Sequence, residues 1–263
     1  MPQLERATVS LHYRDEGQGD PPLLLLHGWC DSSATWDSTL AAFRGEHRCI
    51  APDMRGHGQS GRPIDHSYSL DALSGDAVAI CEAAGVSRPV VIGHSFGGVL
   101  AAEIARRFPA FPRGVIVVDQ PLDIGAFSES LRPAEASVRS LETHMAFREQ
   151  VYREICGPTA PPGLADAIVA RGLQTPADIG MALWAPLFEM TDAELAERGA
   201  ALIAALSKLP ALSIDHGDAA GYHAALNAAA PSIGTAALPA GHWVHEERPA
   251  EFQALVRGFL RPV

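Results

Sequence analysis

The segment PVVIGHSFGGVLAAEIA, residues 89–105, puts a serine where a serine can attack. An apolar run ends in Gly93-His94-Ser95-Phe96-Gly97, and an alanine-rich helical stretch follows at once. G-x-S-x-G between a strand and a helix marks a sharp turn that pushes one hydroxyl out at the strand end. Gly93 and Gly97 are the small neighbours that such a turn demands. The helix N-terminus behind Ser95 favours negative charge developing there. A serine hydroxyl is a weak nucleophile at neutral pH and needs a base. Of eleven histidines, His242 is the best placed. GTAALPAGHWVHEERPAEF sets it after the last strand-like run and before the final helix, where a Ser–acid–His chain order puts the base. His245 competes but lies toward that helix. His27, His57 and His94 sit in tight turns and are expected to hydrogen-bond loop backbone.

These groups need a frame. Short apolar runs bounded by turn residues recur at 23–26 (LLLL), 49–51, 89–92, 114–118, 211–214 and 235–238. Runs apolar throughout suit strands buried on both faces of a mostly parallel sheet. Helical spacing appears at 69–84, with Ser69 as N-cap, at 97–107, and at 249–260, where Pro249 suits a helix start. The opening ATVSLHYRDEG alternates and reads as an antiparallel hairpin. Between 120 and 209 the rhythm breaks. That stretch is helical in composition, broken by prolines, and holds no strand-like run. The expected organisation is a core of residues 1–119 and 210–263 with a helical cap insertion at 120–209.

Taken in order, HGWC (27–30), APDMRGHGQSGRP (51–63), GHSFGG (93–98) and PAGHW (239–243) resemble the α/β-hydrolase fold superfamily, over nearly the whole chain outside the insertion. The resemblance implies an eight-stranded, mostly parallel α/β sheet with helices on both faces. It implies an oxyanion hole from the backbone N–H groups of Trp29 and Phe96. Such preorganised donors are each worth roughly 10²–10³ in rate. Asp53, Arg55 and His57 are then assigned to loop shaping. The acid is where this chain departs from the common pattern. In most of the superfamily it lies three residues beyond a glycine after the seventh strand, and here that register holds Ala220. The other position known for the superfamily, the end of the sixth strand, is Asp119, with Asp218 as the alternative.

The resulting expectation is a Ser95–His242–Asp119 triad forming an acyl-enzyme on a small or medium lipophilic ester, lactone or related carbonyl compound, without metal or cofactor. Trp29, Phe127, Phe147, Trp184, Phe188 and Trp243 are candidate pocket residues. The alternative is a cofactor-free dioxygenase. HGWC and a sixth-strand acid are similar to the enzymes that cleave 3-hydroxy-4-quinolones, in which a His/Asp pair deprotonates the substrate and O₂ reacts directly. Phe96 stands where that group tends to carry a second histidine, and residue 31 is Asp. Haloalkane dehalogenases share the acid position but use an Asp nucleophile. A hydrolase-fold receptor is the non-enzymatic reading, and the intact Ser95 and His242 argue against it.

Bulk properties narrow the partners. A net charge of −11 disfavours an electrostatic grip on nucleic acid or anionic lipid. Cys30, Cys49, Cys81 and Cys156 show no CxxC spacing, which fits a reducing cytoplasm. The N-terminus carries charges where a signal peptide needs an apolar run. His242-x-x-His245-Glu246 resembles a metal cluster, but the triad already accounts for His242. Substrate identity and oligomeric state are not written in the sequence.

Overall fold

The computed structural model describes residues 2–217 and 219–261. Asp218, the alternative acid, lies outside the described residues. In chain order the elements are β1 (Gln3–Glu5), β2 (Ser10–Glu16), β3 (Leu23–Leu26), α1 (Asp37–Phe43), β4 (Cys49–Pro52), α2 (Leu70–Ala83), β5 (Val90–His94), α3 (Phe96–Arg107) and β6 (Gly114–Val118). Six helices and no strand follow: α4 (Ile124–Leu131), α5 (Glu135–Val138), α6 (His144–Ile155), α7 (Leu164–Gly172), α8 (Ala177–Glu189) and α9 (Asp192–Leu206). The chain ends with β7 (Ala211–His216), α10 (Ala220–Ala229), β8 (Ile233–Leu238), α11 (Val244–Glu247) and α12 (Pro249–Leu260).

The eight strands form one sheet in the order β1-β2-β4-β3-β5-β6-β7-β8. β1 pairs antiparallel with β2, as the alternating opening predicts, β2 pairs antiparallel with β4, and the remaining pairings are parallel. β3 shows why the strands read as unbroken apolar runs. Leu24 and Leu26 face the core shared with α2 and α3, while Leu23 and Leu25 face the core shared with α1 and α12. All four leucines are buried. With helices on both faces, neither side of the strand has water to meet.

The parallel register brings the strand ends level. Leu26 lies opposite Gly93, and His94 opposite Val118. The turns after β3, β5, β6 and β7 therefore share one edge of the sheet, where ligands bind in open α/β sheets. The structure extends the sequence reading at two places. The strand-like run at 211–214 continues, β7 running on to His216, so Asp215 and His216 are strand residues. α1 and α10 carry no periodic signal strong enough to be read, and alanine-rich α10 buries only Leu226.

Candidate active site

Ser95 sits in a backbone conformation that side chains avoid, with φ 52° and ψ −125°. The surroundings hold it there. Its N–H donates to Val118 O at 2.8 Å, and α3 begins at the next residue. Gly97 shows how tight the turn is: a Cβ there would lie 2.3 Å from Leu26 O and 2.5 Å from His27 O. The turn after β3 comes alongside, since a Cβ on Gly28 would lie 3.2 Å from Ser95 Cβ. Phe96, first residue of α3, has no acceptor for its N–H within the helix.

The histidine arrives from the far end of the chain. His242 Nδ1 donates to Asp119 Oδ2 at 2.5 Å. Asp119 follows β6 directly, at φ 52°, and its own N–H donates to Ile214 O at 2.8 Å. Its other oxygen, Oδ1, accepts from His216 N at 2.8 Å and lies 2.7 Å from His216 Nδ1. Burial alone would raise the Asp119 carboxyl, but the two imidazoles outweigh it and hold it well below the usual carboxylate range. An ionised Asp119 can only accept, so His242 carries its proton on Nδ1 and leaves Nε2 as a lone-pair base. The His242 backbone is also fixed. Its N–H donates to Ile155 O at 2.9 Å, and its carbonyl lies 2.9 Å from His94 Nε2.

The other histidines do structural work. His27 Nε2 accepts from Met54 N at 2.9 Å, and His57 Nδ1 lies 3.0 Å from Arg55 O. Burial pushes the His57 and His94 imidazoles down to about 3, so both are neutral. His245 is buried against Thr35, 2.9 Å from its hydroxyl, and Glu246 turns to Arg171. The His242–His245–Glu246 run does not converge on a point. Asp53 accepts from Ser33 N and Gln59 N, holding the loop after β4. Arg55 makes a two-pronged pair with Asp76.

Ser95, Asp119 and His242 line one cavity of about 460 Å³, together with Trp29, Phe127, Trp184, Trp243 and Tyr152. Trp29 stacks on Trp184 at 3.9 Å with 10° between the rings. Phe147 and Phe188 do not line it. Phe147 meets Trp184 edge-on at 6.4 Å, and Phe188 packs against the core.

Helices α6, α7 and α8 reach the turn that precedes Asp31. The Tyr152 hydroxyl donates to Trp29 O, and the Trp29 indole donates to Gly180 O at 2.9 Å. Arg171, on α7, pairs with Asp31 and, at 2.5 Å, with Glu246. Burial pushes the Asp31 carboxyl up, but the Arg171 guanidinium outweighs it and holds the carboxyl below the ordinary range. Tyr152, Arg171 and His216 were not legible in the sequence. The one local cue is an arginine inside the apolar stretch LADAIVARG.

A family model described as the alpha/beta hydrolase fold matches residues 21–154, about half of the chain. Over 121 residues the chain is 36% identical to Epoxide hydrolase 4 of Mus musculus, a match covering 45% of this chain and 34% of that protein. The chain spans about a third of the length of the curated relatives it matches. It resembles an esterase from Thermogutta terrifontis with a TM-score of 0.80 at 25% identity, over 100% of this chain and 99% of that one. It resembles the enol-lactonase from Burkholderia xenovorans with a TM-score of 0.78 at 23% identity, over 98% and 99%, which speaks for the fold alone. The matched residues carry β3, the Ser95 turn and Asp119; this chain belongs to the alpha/beta hydrolase fold family.

Proposed function

We propose that this protein is a serine hydrolase acting on lipophilic esters or lactones. The observation that carries the reading is the pairing of a strained, exposed-edge Ser95 with a His242 locked to Asp119 on the wall of the same cavity. His242 Nε2 takes the Ser95 proton as Oγ adds to the carbonyl carbon. The N–H groups of Trp29 and Phe96 receive the developing oxyanion. His242 then protonates the leaving oxygen, and Ser95 holds the acyl group as an ester. Water, deprotonated by His242, releases the acid and restores Ser95. Residues 120–209 act as the cap, supplying Phe127, Trp184 and Tyr152 to the cavity wall.

The name of the mouse relative does not carry over directly. A serine that opened an epoxide would be left as an ether, which water cannot cleave under these conditions. A carboxylate nucleophile gives a hydrolysable ester instead. Residue 95 is serine, so turnover requires a carbonyl substrate.

The test is hydrolysis of p-nitrophenyl acetate by wild type and Ser95→Ala, with a fluorophosphonate label read by peptide mass. Turnover should fall at least about 10³-fold in the variant, and the label should sit on Ser95. Activity indifferent to Ser95 would sink the reading. One feature favours the second reading: the Asp119–His242 dyad sits in a largely apolar cavity and could deprotonate an acidic heteroaromatic hydroxyl without Ser95. Oxygen uptake with a 3-hydroxy-4-quinolone, undiminished in Ser95→Ala, would establish that reading instead.

A further inference from the structure

Two cavities meet at Ser95, and they differ in chemistry. The first carries His242, Asp119, His216 and Asp215 on its walls. The second, about 410 Å³, runs between α2, α3, α8 and α9. Ser95, Gln120, Phe127 and Trp184 border both and form the partition. Beyond that partition the second cavity is walled mainly by apolar side chains, among them Phe96, Val99, Ile124, Leu183, Leu187 and Leu195. Its size lies within the roughly 300–1,000 Å³ of small-molecule pockets.

The reaction assigns the two arms. His242 borders the first cavity and not the second. A general acid must reach the leaving oxygen, so the leaving group faces the first cavity. The acyl side of the carbonyl is left with the second cavity, which Phe96 also borders.

Two charged side chains border the second cavity, Asp71 and Arg198. Asp71 is already compensated, with Arg107 Nε 3.4 Å from its carboxylate. Arg198, half-buried on α9, makes no hydrogen bond or ion pair with any described residue. Its natural partner one turn earlier, Glu194, is engaged elsewhere. The Glu194 carboxylate accepts from Thr191 N at 2.8 Å and from the Thr191 hydroxyl at 2.7 Å, closing the cap of α9. Glu197, adjacent in sequence, borders the same outer hollow as Arg198 but makes no ion pair with it. Arg106 shares the outer hollow with Arg198 but is held by Glu103 at 2.7 Å.

An unpaired guanidinium at an apolar arm matches a planar carboxylate, which it can grip with two parallel hydrogen bonds. We propose that the acyl arm of the substrate lies in the second cavity and ends in a carboxylate held by Arg198. The substrates are then half-esters of α,ω-dicarboxylic acids. The acyl–oxygen bond breaks, and the alcohol leaves into the first cavity with the proton from His242. Water releases the dicarboxylate from Ser95, with no oxidant or reductant required. The reaction rests on the serine-hydrolase reading, whereas the binding does not.

The experiment is calorimetric titration of the Ser95→Ala protein with monomethyl suberate and with methyl octanoate, repeated after Arg198→Gln. It is paired with wild-type hydrolysis of the mono-p-nitrophenyl ester of suberate against p-nitrophenyl octanoate. The charged ester should bind at least tenfold more tightly, and Arg198→Gln should erase that ratio while Arg198→Lys keeps part of it. Equal binding of the two esters, or a ratio unchanged by Arg198→Gln, overturns the proposal. Selective binding without hydrolysis by wild type supports the anchored arm and removes the reaction. Hydrolysis without discrimination keeps the reaction and removes the arm.

Discussion

His216 and His242 hold the same carboxylate, one on each oxygen of Asp119. His216 is half-exposed and can take a proton from solvent, and Asp119 pushes its imidazole up from the usual 6.5. Protonated, it draws on the charge that Asp119 otherwise gives to His242. Neutral, it leaves that charge to the triad. Asp215 and Glu247 also face His216 and favour its cation. Because the folded state raises its pKa, the ion pair contributes stability below the ordinary pKa and loses it as pH rises through the shifted one. Catalysis runs the other way. Wild-type kcat/KM should show an upward step at pH values above 6.5. His216→Gln should lessen that step, as a pH–rate profile on p-nitrophenyl acetate will show.

The Ser95 turn has no room for a side chain at its second glycine. In Gly97→Ala the new Cβ would have to displace the ends of β3 and α3. Overpacking of this kind costs about 3 kcal/mol. A urea midpoint should fall accordingly, and esterase activity should drop further than stability does, because the shift lands on Ser95 and Trp29.

Arg171 neutralises two carboxylates at once, the buried Asp31 and the half-buried Glu246. Arg171→Leu should cost about 3–5 kcal/mol, since it leaves uncompensated charge in the interior. The sign of its pH dependence is fixed. Without the cation, burial raises both carboxyls, so the folded variant binds protons that the unfolded chain does not. The deficit should be largest near neutral pH and shrink as pH falls toward about 5, read by urea unfolding at several pH values.

Tyr152→Phe removes a buried hydroxyl from Trp29 O and leaves that carbonyl unmatched. About 1–2 kcal/mol of stability should go. The more telling readout is kcat, expected to fall about tenfold with KM little changed, since the proposed mechanism uses the Trp29 N–H to receive the oxyanion. Equal effects on kcat and KM would instead place Tyr152 in ordinary packing.

What the sequence carried was local. Gly93, Ser95 and Gly97 declare a strained turn because only small residues fit one, and the all-apolar β3 declares helices on both faces. His242 follows from chain order. The groups that escaped notice act across distance. Arg171 meets Asp31 140 residues away in sequence, and His216 meets Asp119 97 residues away. No periodicity or motif encodes such pairings. Phe147 and Phe188 suit a pocket by residue type, and type alone does not tell the face of a helix that meets the cavity from the face that meets its neighbours.

The sutures between the helical segment and the strand edge also set an order of assembly. Trp29 meets Tyr152 across 123 positions and Gly180 across 151. Closing loops of that span is slow. Refolding from denaturant should therefore regain helical and sheet circular dichroism first and enzymatic competence last. The lag between those two signals times the docking of helices α6–α8 onto the turn at Trp29.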